Sequence, residues 1–150
     1  MNQDFRDLLA EFNARDVEYL VVGAHALAVH GFVRATKDLD VWVRPDPTNA
    51  SPVLTALAAF GAHLQDLTAK DLATSGTIFQ IGVAPIRIDV ITSVDGLVFE
   101  DACASRVHAP FADQVVPVLF GEDLIRNKRA AARDQDLLDV KWLERHPPKT

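Results

Sequence analysis

The stretch DLDVWV, from Asp38 to Val43, constrains the fold more than any other part of the sequence. Carboxylates alternate with apolar residues there, and a two-residue period is typical of a β-strand that buries one face. In such a strand Asp38 and Asp40 lie on one face, while Leu39 and Val41 point into the core. Two carboxylates on one face repel each other unless a positive group or a cation lies between them.

A second stretch, IRIDVIT at residues 86–92, alternates in the same way and places Arg87 and Asp89 on its polar face. If the two strands are neighbours, Asp89 joins Asp38 and Asp40 on one surface. Oxygen ligands of this kind suit Mg²⁺ or Mn²⁺ better than Zn²⁺, which prefers nitrogen and sulfur. Three shared carboxylates are also typical of sites that hold two such ions for an in-line displacement at phosphorus.

The residues around the carboxylate pair favour a phosphate ligand. Gly23 lies between a predicted strand and a predicted helix, where free backbone N–H groups can receive phosphate. Arg34 and Lys37 lie just before the pair and can meet negative phosphate charge. A D-x-D pair by itself is common on solvated strands and turns, so the case for a functional site depends on these neighbours.

The length, charge and cysteine count narrow the class of protein. A chain of 150 residues suits a single domain over residues 1–150 with its own core. The net charge of −6 argues against a protein that coats nucleic acid. The start of the chain lacks the apolar stretch of a signal peptide, and the longest apolar run is too short to span a bilayer. Cys103 is the only cysteine, so an intrachain disulfide is excluded. We expect Cys103 to be a packing residue. We therefore expect a cytoplasmic protein with no membrane segment.

The spacing of apolar residues predicts a mixture of helices and strands. The predicted helices cover residues 4–14, 24–30, 50–60, 99–104 and 122–146. The predicted strands cover residues 18–22, 39–43, 77–82, 86–92 and 115–119, and 77–82 forms a hairpin with 86–92. Pro117 indicates that the last strand lies at an edge of the sheet, and the prolines of residues 44–52 indicate a loop. These elements predict an α/β or α+β domain around a small mixed sheet.

The last predicted helix has the clearest pattern. One face is lined by Leu124, Ala131, Leu138 and Trp142. Lys128 shares this apolar stripe, so we expect its amine to reach inward and to need an anion, either a triphosphate or Asp139. The other charges of the helix, Asp136 and Asp139 among them, are expected to form a solvated face.

Two histidines flank the alanine-rich segment before the carboxylate pair. His25 and His30 lie five residues apart, one more than the spacing at which two histidines of one helix face bind zinc. We expect both to have capping or packing roles. An orienting role near the carboxylates stays open for His30.

The segment VVGAHALAVHGFVRATKDLDVWV, residues 21–43, is similar to the nucleotidyltransferase superfamily that includes DNA polymerase beta. That superfamily has a hydrophobic residue and Gly, then Gly or Ser, then a D-x-D or D-x-E pair. A third carboxylate follows on a later strand, and Asp89 matches it. The chain most resembles small bacterial proteins related to abortive-infection and toxin–antitoxin nucleotidyltransferases. Their final helix carries a lysine, an arginine and two aspartates, matched here by Lys128, Arg133, Asp136 and Asp139.

The resemblance implies a nucleotidyltransferase fold, with a small mixed sheet flanked by helices and a long C-terminal helix. It also implies that Asp38 and Asp40 bind both metals and hold the NTP. Asp89 would bind the catalytic metal and help to deprotonate the acceptor hydroxyl, while the backbone of Gly23 and Ala24 would cradle the phosphates. Ala24 stands where the superfamily has Gly or Ser, so this chain offers a backbone N–H but no hydroxyl there.

By this resemblance the chain is expected to be a metal-dependent nucleotidyltransferase that uses Mg²⁺ or Mn²⁺. It would move NMP from NTP to a hydroxyl and release pyrophosphate. The acceptor is left open between tRNA, protein and a small molecule, and a homodimer or a cognate antitoxin would add to the acceptor surface. The alternative is a catalytically silent module of the same fold that binds a nucleotide or a partner. Ala24 favours this alternative, because it offers no hydroxyl to a phosphate. A phosphohydrolase would need a water-positioning base that the sequence does not identify.

Overall fold

The computed structural model describes residues 2–33, 36–82 and 86–147. The helices are α1 Gln3–Ala14, α2 Gly23–Val29, α3 Pro47–Phe60, α4 Ala69–Leu72, α5 Phe99–Ala104, α6 Gly121–Ala131 and α7 Asp134–Arg145. The strands are β1 Tyr19–Val22, β2 Asp38–Val43, β3 Ile78–Ile81, β4 Arg87–Ile91, β5 Val107–Phe111 and β6 Gln114–Val118. None of the helices in these ranges is both long and apolar enough to cross a membrane.

The strands form one mixed sheet with the order β3-β4-β2-β1-β6-β5. β2 is parallel to β4 and antiparallel to β1, while β3 closes an antiparallel hairpin onto β4. The predicted α/β or α+β architecture, a small mixed sheet flanked by helices, is therefore confirmed. The hairpin is confirmed as well, although its turn at 83–85 lies outside the described residues.

Helices cover the two faces of the sheet unequally. On the face that buries Leu39 and Val41, α1 packs with Phe12 against Tyr19, with ring centroids 5.3 Å apart. On the opposite face, α5 places Phe99 edge-on against Trp42 at 5.1 Å. Since alternate residues of a strand share a face, the Trp42 face also carries the two β2 carboxylates. These carboxylates lie closer to the start of β2, beyond the cover that α5 provides.

Helix α3 begins at Pro47, so part of the loop predicted over 44–52 is helical. Asp46 caps this helix, because its carboxylate accepts a hydrogen bond of 2.8 Å from the N–H of Asn49. Pro47 occupies the first turn, where no backbone N–H is needed. The predicted end at Gly61 is confirmed, and its φ of 99° lies in the left-handed region that favours glycine.

Strand β6 lies inside the sheet, so the prediction that Pro117 marks an edge is wrong. β6 pairs with β1 at Val21 and Val118 and on its other side with β5, a strand that was not predicted. The N–H of Leu119 donates to the Val21 carbonyl at 3.1 Å, so the Pro117 nitrogen faces the same side, just outside this short pairing. A proline is tolerated there because the ladder does not need its N–H. The edge strand β5 carries Pro110 instead.

The long helix predicted over 122–146 is two helices, α6 and α7, separated by a break at Ala132 and Arg133. Ala132 has a left-handed φ of 54°, and the N–H of Arg133 donates to the Asp136 carboxylate at 3.2 Å. The break changes which residues face the core. Leu138, expected on the buried stripe, is 58% exposed, and Leu143 is buried instead.

The break brings two aspartates of α7 beside the side chain of Lys128. Lys128, Asp136 and Asp139 are all buried, so the expectation that the two aspartates belong to a solvated face is wrong. A single straight helix would carry the aspartates away from the Lys128 amine, because each residue rises 1.5 Å along a helix axis. Folding α7 back at Ala132 instead places both carboxylates beside that amine.

Candidate active site

Asp40 and Asp89 lie directly opposite each other on the parallel strands β2 and β4. The prediction that these two strands are neighbours is therefore confirmed. The same row of the sheet continues through Val22 on β1 and Gln80 on β3. Neighbouring strands lie about 4.8 Å apart, so the two carboxylates share one small patch of the sheet surface.

Asp38 lies one row further along, opposite Arg87. Its Oδ2 is 3.4 Å from Nη2 of Arg87, and both side chains are partly exposed. Within the described ranges no three histidine, cysteine or acidic side chains are arranged as a metal cluster. The structure therefore brings Asp40 and Asp89 together and turns Asp38 toward Arg87.

Among the residues that the structure describes, neither Asp40 nor Asp89 forms an ion pair. Burial and the neighbouring charges of Asp89 and Asp38 raise the pKa of Asp40 to about 6, although Arg87 and Arg133 oppose this. Oδ1 of Asp89 is buried and has no hydrogen-bond donor among the residues that the structure describes. An oxygen ligand set with unmet demand for positive charge fits a divalent cation such as Mg²⁺ or Mn²⁺.

Gly23 supports the Asp40 carboxylate from the adjacent element. It begins α2 directly after β1. Its backbone φ of +69° is one that residues with a side chain rarely adopt. A Cβ on Gly23 would overlap Oδ2 of Asp40 and lie 3.3 Å from its Cγ. Position 23 therefore requires glycine for two reasons, its backbone conformation and the lack of room for a Cβ beside Asp40. Ala24 follows in the first turn of α2, where backbone N–H groups have no partner within the helix.

A cleft of about 460 Å³ opens between this end of the sheet and the junction of α6 with α7. The sheet side contributes Gly23 and Asp40, and the loop after β4 contributes Ser93 and Asp95. The helical side contributes Asn127, Lys128, Arg133 and Asp136. Acidic and basic side chains therefore line the cleft, with the Asp40 carboxylate on one side and the Arg133 guanidinium on the other.

The inward orientation predicted for Lys128 is confirmed, and its anions are aspartates of α7. Its Nζ lies 2.9 Å from Oδ2 of Asp139 and 3.4 Å from Oδ1 of Asp136. Asp136 in turn accepts hydrogen bonds from Nε and Nη2 of Arg133 at 2.7 and 3.2 Å. Burial alone would raise the pKa of Asp136, but the charges of Arg133 and Lys128 hold it below its usual range.

Three other residues singled out in the sequence lie away from the cleft. His30 contacts the Leu119 carbonyl at 2.8 Å through Nε2, which ties α2 to the end of β6. The ring of His25 packs between Phe5 and Phe111, and burial lowers its pKa. Lys37 is exposed and borders a separate cavity of about 260 Å³ beside His25.

Arg34 falls outside the described residues. Two residues near the pair had no predicted site role: Arg133 lies across the cleft from Asp40, and Gln80 lies next to Asp89 on β3. The signal for Arg133 was its place in the final-helix pattern. No comparable signal existed for Gln80, because only strand pairing places it beside Asp89.

No protein-family model matches the sequence, and no curated protein sequence matches it either. Solved structures do share its architecture. The lincosamide adenylyltransferase LnuA, in a lincomycin-bound crystal structure, aligns with a TM-score of 0.62 and 14% identity over 96% of each chain. A candidate nucleotidyltransferase from Thermotoga maritima aligns with a TM-score of 0.65 and 14% identity over 95% of this chain and 92% of that one. The antibiotic-resistance factor ANT(2'')-Ia gives 0.62 and 12% over 93% of this chain and 80% of its own. The chain therefore has the nucleotidyltransferase fold.

Proposed function

We propose that this protein is a metal-dependent nucleotidyltransferase, which transfers NMP from NTP to a hydroxyl acceptor and releases pyrophosphate. The observation that carries the proposal is the pair of carboxylates, Asp40 and Asp89, which lie opposite each other on β2 and β4 and form no ion pair in the described part of the chain. Gly23 packs against Asp40 at the start of α2. A cation site beside free backbone N–H groups is an arrangement suited to a nucleotide triphosphate.

Each residue near the pair has a role in this proposal. Asp40 and Asp89 would hold Mg²⁺ or Mn²⁺, and Asp38 would join them after leaving Arg87. When bound, the cation would neutralise phosphate charge where the leaving group forms. Asp89 would accept the proton of the attacking hydroxyl, and the backbone of Gly23 and Ala24 would bind phosphate oxygens.

Among the acceptors that the sequence left open, tRNA, protein and small molecule, we favour a hydroxyl-bearing small molecule. The full-length likeness to LnuA, an antibiotic adenylyltransferase, supports this choice. The net charge of −6 also disfavours a phosphate-rich acceptor such as tRNA. A toxin that modifies protein or tRNA, with a cognate antitoxin or a second copy of this chain, would require an acceptor surface beyond this cleft.

Labelled NTPs with Mn²⁺ test the proposal. The purified protein would be incubated with lincomycin, a panel of other hydroxyl-bearing antibiotics, tRNA and cell protein, and both pyrophosphate and labelled product would be measured. We expect product with a small molecule, and a loss on the order of a hundredfold or more in Asp89→Asn. Asp101→Asn, which changes an exposed carboxylate of α5, is the matched control.

The same experiment separates the enzyme from a silent module. Ala24 supplies no hydroxyl to a phosphate, which favours the module. Binding of NTP by the wild type with no labelled product in any pool would establish that reading. Equal labelling by Asp89→Asn and wild type would remove Asp89 from the proposed site.

A further inference from the structure

The guanidinium of Arg133 lies at the rim of the cleft and acts electrostatically on Asp40 across it. Its Nε and Nη2 donate to Asp136, while Nη1 makes no hydrogen bond within the described part of the chain. The side chain is 80% exposed. Arg133 thus presents a fixed positive charge and a free donor to the space in front of Asp40.

Asp136 holds both the side chain and the backbone of Arg133. Besides the two side-chain hydrogen bonds, its Oδ2 accepts the backbone N–H of Arg133 at 3.2 Å. The residue before, Ala132, has a left-handed φ of 54°. The direction in which the arginine leaves the backbone is therefore set by the break between α6 and α7, and a guanidinium held in this way loses little freedom when it binds an anion.

Asp136 in turn contacts the buried amine of Lys128. Its side chain is only 3% exposed, and Lys128 lies between it and Asp139. Buried ion pairs contribute little net stability compared with apolar side chains of the same size. A buried lysine with two carboxylates at the wall of a cleft is therefore better explained by the need to hold Arg133 in place than by packing.

We propose that Arg133 binds the triphosphate of the nucleotide, that Asp136 orients it, and that Lys128 with Asp139 holds Asp136. This inference rests on the proposed function. Several negative charges enter the cleft with an NTP and meet the carboxylates of Asp40 and Asp95, so cationic donors are needed opposite. A guanidinium suits phosphate oxygens geometrically. The Lys128 amine faces its two aspartates, so it acts through Asp136 as a positioning residue.

Arg133→Ser tests the proposal without removing the helix start, because serine is a preferred residue at that position. The control is Arg129→Ser, since Arg129 is an exposed arginine of α6 that pairs with Glu144 at 2.8 Å. Calorimetry with Mg²⁺ would measure the affinity for the α,β-methylene analogues of the four NTPs and for the matching NMPs. We expect Arg133→Ser to weaken triphosphate binding tenfold or more and to leave NMP binding unchanged. Arg133→Lys should recover part of the loss, and Arg129→Ser should bind as the wild type does.

The role of Asp136 is tested by a double-mutant comparison. If Asp136 acts through Arg133, Asp136→Asn weakens triphosphate binding in the wild-type background and adds no loss to Arg133→Ser. Equal triphosphate affinity in Arg133→Ser and Arg129→Ser would overturn the inference alone and leave Arg133 as a helix cap. A wild type that binds none of the analogues would overturn the proposed function as well.

Discussion

Replacing Asp40 with asparagine should stabilise the metal-free protein. Asparagine has nearly the same shape as aspartate, so it keeps the contact with Gly23, but it carries no charge to repel Asp89. In the wild type, burial and the charges of Asp89 and Asp38 hold the pKa of Asp40 at about 6, above the ordinary value of 3.8. Ionisation of Asp40 in the folded protein is therefore unfavourable in the absence of a cation.

The size of the effect follows from that pKa. One pKa unit corresponds to about 1.4 kcal/mol, so a rise from 3.8 to about 6 corresponds to about 3 kcal/mol. The folded state binds more protons than the unfolded state between these two values, so wild-type stability declines there as the pH rises. The advantage of Asp40→Asn should be near zero at pH 3.5 and reach about 3 kcal/mol above pH 7, roughly 6–12 °C in melting temperature for a chain of this size.

Thermal melting in EDTA across this pH range measures the difference between the two proteins. Asp101→Asn, at an exposed position of α5, is the control and should show no such pH dependence. Added Mn²⁺ should raise the melting temperature of the wild type and not that of Asp40→Asn, because a ligand stabilises only the state that binds it. An Asp40→Asn protein that melts below the wild type at pH 8, or a difference that ignores pH, would refute the reasoning.

Three shorter predictions test other parts of the structure. Gly23→Ala should lower the free energy of unfolding by about 1 kcal/mol or more in denaturant titrations, and less in an Asp40→Ala background, where the clash is absent. Lys128→Met should cost about 3–5 kcal/mol in the same titrations, because two buried carboxylates lose their cation. Asp113→Asn should destabilise above pH 4, with the difference from the wild type disappearing toward pH 2, because Arg6 lowers the pKa of Asp113 to about 2.

The carboxylate strands could be predicted from the sequence because their signal is local. Alternation in residues 38–43 and 86–92 fixes which side chains share a face, whatever the rest of the chain does. The register of β2 and β4 depends on strand pairing and could only be assumed. This register places Asp89 directly opposite Asp40, and Arg87 opposite Asp38. Gln80 was missed because the hairpin of β3 with β4 was predicted without its register.

The break between α6 and α7 could not be predicted from local pattern. Ala132 is a strong helix former, and no glycine or proline marks the stop. The helical period predicted that Lys128 points inward, and this was right. Asp139 was one of the two anions expected for that amine, but the local pattern could not show that the helix breaks and brings Asp136 to it as well. Strand β5, with the sequence VHAPF, was not predicted because it lacks the run of valines that marks β6.

Two titratable groups, Asp40 in the cleft and His25 away from it, should make stability respond to pH in opposite directions, which offers a further test. The pKa of His25 is lowered by burial, so the folded state keeps this imidazole neutral and loses stability as the pH falls below the ordinary histidine value. Asp40 has the opposite sign, because its raised pKa makes the folded state gain stability over much of the same range. His25→Gln should therefore become more stable as the pH falls from 7 to 4, relative to the wild type, and Asp40→Asn should become less stable. Melting curves of both variants in EDTA, each referred to the wild type at the same pH, measure this divergence. Parallel profiles for the two variants would mean that at least one of the two groups does not titrate in the environment that the structure gives it.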